Sequence, residues 1–315
     1  MQQATALTRS TETSQTRLVD KRLRLFFRKA LFLVNSGLSV PLFESLTRGI
    51  SRNLAVVITC QRTDGGGAQL HGRISAMTFA SRFGFVYKSQ RIRGAHFASG
   101  DTWDDQWNAL LDIQDQVLAS DETIVKVNGR WGFCWALMKH RLERKPTPIV
   151  IEIEAAHWYT DFRPQLLERF AIGLRPSFRP PAPLHGEPLV IHLRRGEDLT
   201  AQVRFQSDVE VLQVLHGLRV SFGEQAVRIY TNAPASPSLS QNLPESVKID
   251  FETDPFRAIA HMSAAEGLVI AKSSMSYVAA MMSEGTIFYP EFWHPKLPNW
   301  NALTDLQRDA TRVAS

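Results

Sequence analysis

The chain has 315 residues, 44% of them hydrophobic and 21% charged, with glycine and proline near ordinary usage; this excludes collagen-like and broadly disordered classes and fits one large or two medium domains. A formal charge of +5 permits a nucleic acid or an anionic membrane as partner, and equally a phosphate-bearing small molecule. The two cysteines, Cys60 and Cys134, make no CxxC pair and stand in no Cys/His-dense stretch, so neither a metal site nor a disulfide framework is expected, and a reducing, cytoplasmic setting follows.

In chain order, residues 1–20 are rich in Gln, Thr and Ser and read as a disordered tail. Residues 21–50 form a basic amphipathic segment: KRLRLFFRK (21–29) holds no acid, and ALFLVNSGLSVPLF (30–43) is too short and too interrupted to span a bilayer. The plain reading is an amphipathic helix packed on the body; a peripheral membrane contact is the alternative. Residues 51–174 then alternate between strand-like and helix-like periods. LAVVITC (54–60), the breaker DGGG (64–67), a helix over 68–83 and GFVYKS (84–89) make one unit, followed by strands at 123–129 and 148–154, each leading into a helix. RPSFRPPAPLHGEP (175–188) carries five prolines and reads as an extended linker. After it come LVIHL (189–193), a helix near 208–222, strands AVRIYTN and SVKIDF, a helix over 254–267, strand LVIA, a helix over 273–285 and strand TIFYP, with 301–315 as a C-terminal tail or helix. The expected fold class is α/β: two Rossmann-like domains facing a cleft, residues 51–174 on the acceptor side and 189–300 on the nucleotide side.

Three stretches carry chemistry. LVIHLRRGED (189–198) ends a buried strand in His192, Arg194 and Arg195, and in parallel sheets strand C-termini face the ligand crevice. A guanidinium offers a planar fork of donors matched to phosphate oxygens, whereas the ordinary alternative is an arginine paired with a helix carboxylate. AKSSMSYVAAMM (271–282) passes from a strand into a helix with Ser273 or Ser274 as the cap, presenting N–H groups and a positive dipole to an anion. RTDGGGAQLHGRISA (62–76) is neither GxGxxG nor a P-loop; its glycines suit close approach to a sugar or to the facing domain, or a plain turn.

The pattern His192-Leu193-Arg194-Arg195-Gly196-Glu197, with the later AKSSMSYVAA and the glycine turn with its following helix, resembles the fucosyltransferases of the alpha-1,2, alpha-1,6 and nodulation type, in three patches between about residues 62 and 290. The resemblance implies a GT-B architecture, an inverting transfer from a GDP-sugar such as GDP-fucose to a hydroxyl of a glycan or glycolipid, and no cofactor or metal. By motif matching, His192 would lie against the guanine, Arg194 and Ser274 (with Ser273) would meet the β-phosphate, and Arg195 would support the site. The family's guanine-gripping carboxylate falls on Ala258, with Asp254 one turn earlier as its substitute, and the family's base falls on Gln202. Candidate bases are therefore Glu197, Asp198, His96, Asp101, Asp104 and Asp105; Gly65, Gly66, Gly67, Gln69, His71 and Asp101 are expected on the acceptor side. For GDTWDDQW the bland reading is a solvated helix start over buried tryptophans. A non-catalytic sugar-nucleotide binder is the alternative. Nucleic acid is not expected as partner, because the basic residues mix with 31 acids and no recognition module is present.

Overall fold

A computed structural model describes residues 39–94, 101–112, 123–183, 185–194, 206–231, 237–251 and 254–313. The 1–20 tail and most of the basic segment lie outside these residues. The chain builds two parallel sheets with helices between their strands, the α/β class of two Rossmann-like halves facing a cleft that the alternation predicts.

In the first half, α1 (Val40–Ser51) precedes β1 (Val56–Cys60), α2 (Gly66–Phe83), β2 (Val86–Tyr87), α3 (Asp101–Ala109), β3 (Ile124–Val127), α4 (Gly129–Leu142), β4 (Ile149–Ile153), α5 (His157–Thr160) and α6 (Pro164–Leu174). Every pairing in the order β2-β1-β4-β3 is parallel. The central strands β1 and β4 are buried along their whole length, which is why VVITC and IVIEI read as unbroken β-branched runs rather than alternating ones. At the start of α1 Ser39 accepts from the Leu42 amide, and Pro41 takes a first-turn position where its missing N–H costs nothing. It is anchored by Glu44, which is buried and accepts from Tyr159 Oη (2.9 Å), Arg82 (3.0 Å) and Arg163 Nε (3.1 Å). Burial pushes this carboxyl up, but the hydrogen bonds from Arg82, Arg163 and Tyr159 outweigh it and the net shift is downward.

The second half runs β5 (Leu189–Leu193), α7 (Asp208–Phe222), β6 (Val227–Thr231), α8 (Pro237–Asn242), β7 (Val247–Phe251), α9 (Pro255–Ala264), β8 (Gly267–Val269), α10 (Ser274–Met282), β9 (Thr286–Tyr289), β10 (Asn301–Ala302) and α11 (Leu303–Val313). Its parallel sheet has the order β10-β9-β8-β5-β6-β7, the doubly wound pattern in which β5 is central and the chain crosses to the other side at β8. A complete capping box, Ser207 with Glu210, starts α7. The C-terminal segment is helical: α11 lies on α7, where Gly217 leaves room for Leu306.

Between the halves, the proline-rich segment starts as a 3-10 turn at Arg175–Ser177 and is laced to the first half by Asp112 N to Ser177 O (2.8 Å) and Arg179 N to Leu110 O (2.8 Å). One apolar cluster runs across the junction, joining Leu70, Ile74, Trp107 and Leu167 of the first half to Ile259, Tyr277, Val278 and Met281 of the second.

Candidate functional site

In a doubly wound sheet a ligand crevice opens where neighbouring connections leave to opposite faces. In the second half that point lies between β5 and β8, which pair as Leu189 with Gly267, Val190 with Leu268 and Ile191 with Val269. Arg194 follows β5 directly, and Lys272 lies three residues past the neighbouring β8, one before the Ser273 that stands at the N-cap of α10. Arg194 is half-buried at the end of β5. His192 is fully buried in the strand, with Tyr230 of β6 as its ladder neighbour. Arg195, Glu197, Asp198 and Gln202 lie outside the described residues, as does His96.

The corresponding point in the first half lies between β1 and β4, and α2 starts beside it at Gly66. α2 and α10 meet by their N-terminal turns. A Cβ placed on Gly67 would lie 2.7 Å from Met275 Cα and 2.8 Å from Met275 N, so two backbones touch where any side chain would keep them apart. Of the roles weighed for DGGG, close approach to the facing half is the one Gly67 has; Gly66 lies against the Trp107 indole, and Gly65 is open. Neither helix has a side-chain cap: Gly65 has none to give, and Ser273 stands at the N-cap of α10 without making the capping bond expected of it. Two helix N-termini, each carrying about half a positive charge, therefore converge on one spot, an arrangement that an anion relieves.

From Lys272, the residue before Ser273, opens a cavity of about 790 Å³, lined also by Tyr289, Trp293 and His294 of the second half and by Asp161 and Phe162 of the first. Burial raises the Asp161 carboxyl to about 7, and its Oδ1 has no hydrogen-bond partner among the described residues. Ser274 Oγ lies 3.1 Å from His294 Nε2. His294 belongs to a cluster with His71 and His157, with ring centroids 4.2 Å (71–294), 4.4 Å (71–157) and 5.2 Å (157–294) apart. Burial, reinforced by Arg62 and, for His71 and His294, by neighbouring imidazoles, keeps all three neutral: His157 and His294 are lowered to about 3 and His71 well below its usual range. The three rings offer nitrogens within 4.8 Å of one another, a spacing within reach of a metal ion. The Trp293 indole N–H, which can only donate, bonds His294 Nε2 at 3.1 Å, and this sets the proton of the neutral ring on Nδ1 rather than leaving a lone pair there.

The remaining expected residues hold the frame. Gln69 donates to Asp64 O (2.7 Å) and Arg93 O (3.2 Å), bracing the glycine turn. Asp104 accepts from Gly94 N (2.9 Å) and Asp105 pairs with Arg91. Asp101 begins α3, and the tryptophans of that stretch pack beneath it as the bland reading has them: Trp107 is buried and Trp103 packs on the same cluster. Asp254 caps α9, accepting from Phe256 N (3.0 Å) and Arg257 N (3.2 Å), while Ala258 is buried inside the helix. Of the histidine cluster only His71 is expected at the site from sequence; Asp161, His157 and His294 are not. Asp161 ends the short helix α5, eight residues beyond β4, where no local pattern marks it; His71, His157 and His294 are too far apart in sequence for any spacing rule.

No protein-family model matches the chain, and no curated protein matches it. Among solved structures it is similar to Arabidopsis thaliana FUT1 in complex with GDP (11% identity, covering 82% of this chain and 77% of that one, TM-score 0.41). It is also similar to POFUT1 in complex with GDP (12%, 79% and 98%, TM-score 0.45) and to the E. coli heptosyltransferase WaaC with ADP-2-deoxy-2-fluoro heptose (13%, 82% and 98%, TM-score 0.41).

Proposed function

We propose that the chain is a glycosyltransferase that moves a sugar from a nucleoside diphosphate to a hydroxyl of a glycan or glycolipid, with inversion, GDP-fucose being the first donor to test. The observation that carries this reading is the meeting of two uncapped helix N-termini at the end of the sheet crevice, beside the strand end that bears Arg194. As the bond from sugar to diphosphate breaks, negative charge grows on the leaving group. Arg194, Lys272 and the first-turn amides of α10 supply fixed positive potential there without reorganising. Ser274, whose hydroxyl lies 3.1 Å from His294 Nε2 in the unliganded site, turns its proton from that nitrogen to a phosphate oxygen.

Asp161 reaches the same cavity from the opposite half and takes the acceptor proton. A carboxyl near 7 holds a proton with useful affinity at neutral pH and is half ionised there, the balance a general base needs. Asp254 is committed to its cap and Ala258 offers no carboxylate, so the grip on guanine expected from that helix is left to other groups. Calorimetric titration of GDP, UDP and ADP in EDTA, with wild type and Arg194→Ala, tests the reading. Binding of one diphosphate, weakened at least about tenfold in the variant, is expected; no binding of any of the three overturns it.

A further inference from the structure

Two helices of the first half show water an apolar stripe. On α4 it consists of Trp131, Trp135, Met138 and Leu142, all on one face, with Trp131 61% and Trp135 56% exposed. The opposite face of α4, with Phe133, Cys134 and Leu137, is in the core, so the helix is apolar on both sides while one side stays bare. On α1, Leu42 and Leu46 are exposed while Phe43 and Thr47 are buried. The helices pack along one seam, with the Phe43 and Phe133 rings 6.2 Å apart, Thr47 Oγ1 3.9 Å from Cys134 Sγ, and Arg141 donating to Gly49 O at 2.8 Å. At about 100° per residue, both stripes fall on the outward side of that seam and make one surface.

Charge accompanies it. Lys139, Arg141, Arg144 and Lys145 crowd the end of α4 with Glu143 as the single acid, which Lys139 and Lys145 share. Residues 21–38, basic first and apolar after, join α1 directly at Ser39 and so are tethered to the same face.

We propose that the α1–α4 face docks on an anionic lipid bilayer. Trp131 and Trp135 sit at headgroup level, Leu42, Leu46, Met138 and Leu142 enter the acyl boundary, and the lysines and arginines at the end of α4 meet lipid phosphates. Exposed tryptophan beside lysine suits a bilayer surface better than a second copy of the chain, because protein interfaces are depleted of lysine. The proposal is independent of the activity above.

The test is co-sedimentation of the full chain with vesicles of phosphatidylcholine alone and of phosphatidylcholine mixed equally with phosphatidylglycerol. Wild type should pellet with the mixed vesicles and lose binding as salt rises, and Trp131→Glu/Trp135→Glu should bind at least about tenfold more weakly with an unchanged melting curve. Brominated lipid should quench the wild-type tryptophan emission, and most of that quenching should vanish in Trp131→Phe/Trp135→Phe. Three results would overturn the proposal: pelleting of the glutamate variant like wild type; quenching undiminished in the phenylalanine variant, which places the contact elsewhere, as on residues 21–38; or no vesicle binding by a wild-type dimer that the glutamate variant splits.

Discussion

Adding one methyl group at Gly67 probes the meeting of the two halves directly. The new Cβ would stand 2.7 Å from Met275 Cα and 2.8 Å from Met275 N, whereas carbon atoms rest at about 3.5–4.0 Å. Both obstacles are backbone, so α2 and α10 must part by up to about 1 Å, and overpacking of this kind costs about 1–3 kcal/mol. Alanine's better helix propensity returns at most about 1 kcal/mol, less in a first turn. A net loss of about 1–2 kcal/mol lowers the melting temperature of a domain of this size by about 2–8 °C. Because Met275 is the second residue of α10, the same displacement moves the amides proposed to face the diphosphate, and nucleotide affinity should fall with stability. Gly65→Ala is the control, since nothing lies within 4 Å of its Cβ. Thermal melts and nucleotide titrations of both variants distinguish the outcomes: Gly67→Ala melting with Gly65→Ala and binding as well as wild type would mean that α2 and α10 do not meet at Gly67.

Asp161→Asn should cut turnover at least about a hundredfold with donor affinity kept, and wild-type turnover should rise with pH through about 7; equal turnover in the variant would remove Asp161 as the base. The raised carboxyl also makes a stability contribution that is full below 3.8 and is lost as pH rises to about 7, a slope the Asn variant should lack in melts taken across that range. The histidine cluster has the opposite sign. With His157 and His294 lowered from 6.5 to about 3, their neutral burial favours the fold above 6.5 and is lost as pH falls toward 3, at about 1.4 kcal/mol per pH unit for each ring; His157→Gln should flatten that acid limb in denaturant titrations. Glu44→Gln leaves Arg82 and Arg163 without their carboxylate and should cost about 1–3 kcal/mol by chemical denaturation, discounted because both arginines are partly exposed.

The strand and helix alternation was legible because buried parallel strands write themselves as short β-branched runs, VVITC, IVIEI and LVIHL, with a glycine or serine where the chain turns into a helix. The edges were less so. GFVYKS shrinks to the two residues of β2, and β10 is two residues long; neither has enough buried length to impose a pattern. Arg194 and Ser274 could be singled out because each is a polar interruption of an apolar run at a strand end. The cap role of Asp254 is local and could be read from the Pro255 that follows it. What joins His71 to His157 and His294, or Gly67 to Met275, is tertiary contact across the two halves, and no local period records it.

The apolar cluster that crosses the junction bears on how the molecule folds. Leu70, Ile74 and Trp107 are buried in one cluster with Tyr277, Val278 and Ile259, so the first half made alone would bare an apolar flank prone to aggregate. Heat should therefore take the chain apart in one calorimetric transition rather than two, and exchanging either half for that of another protein would need the seam redesigned along with it.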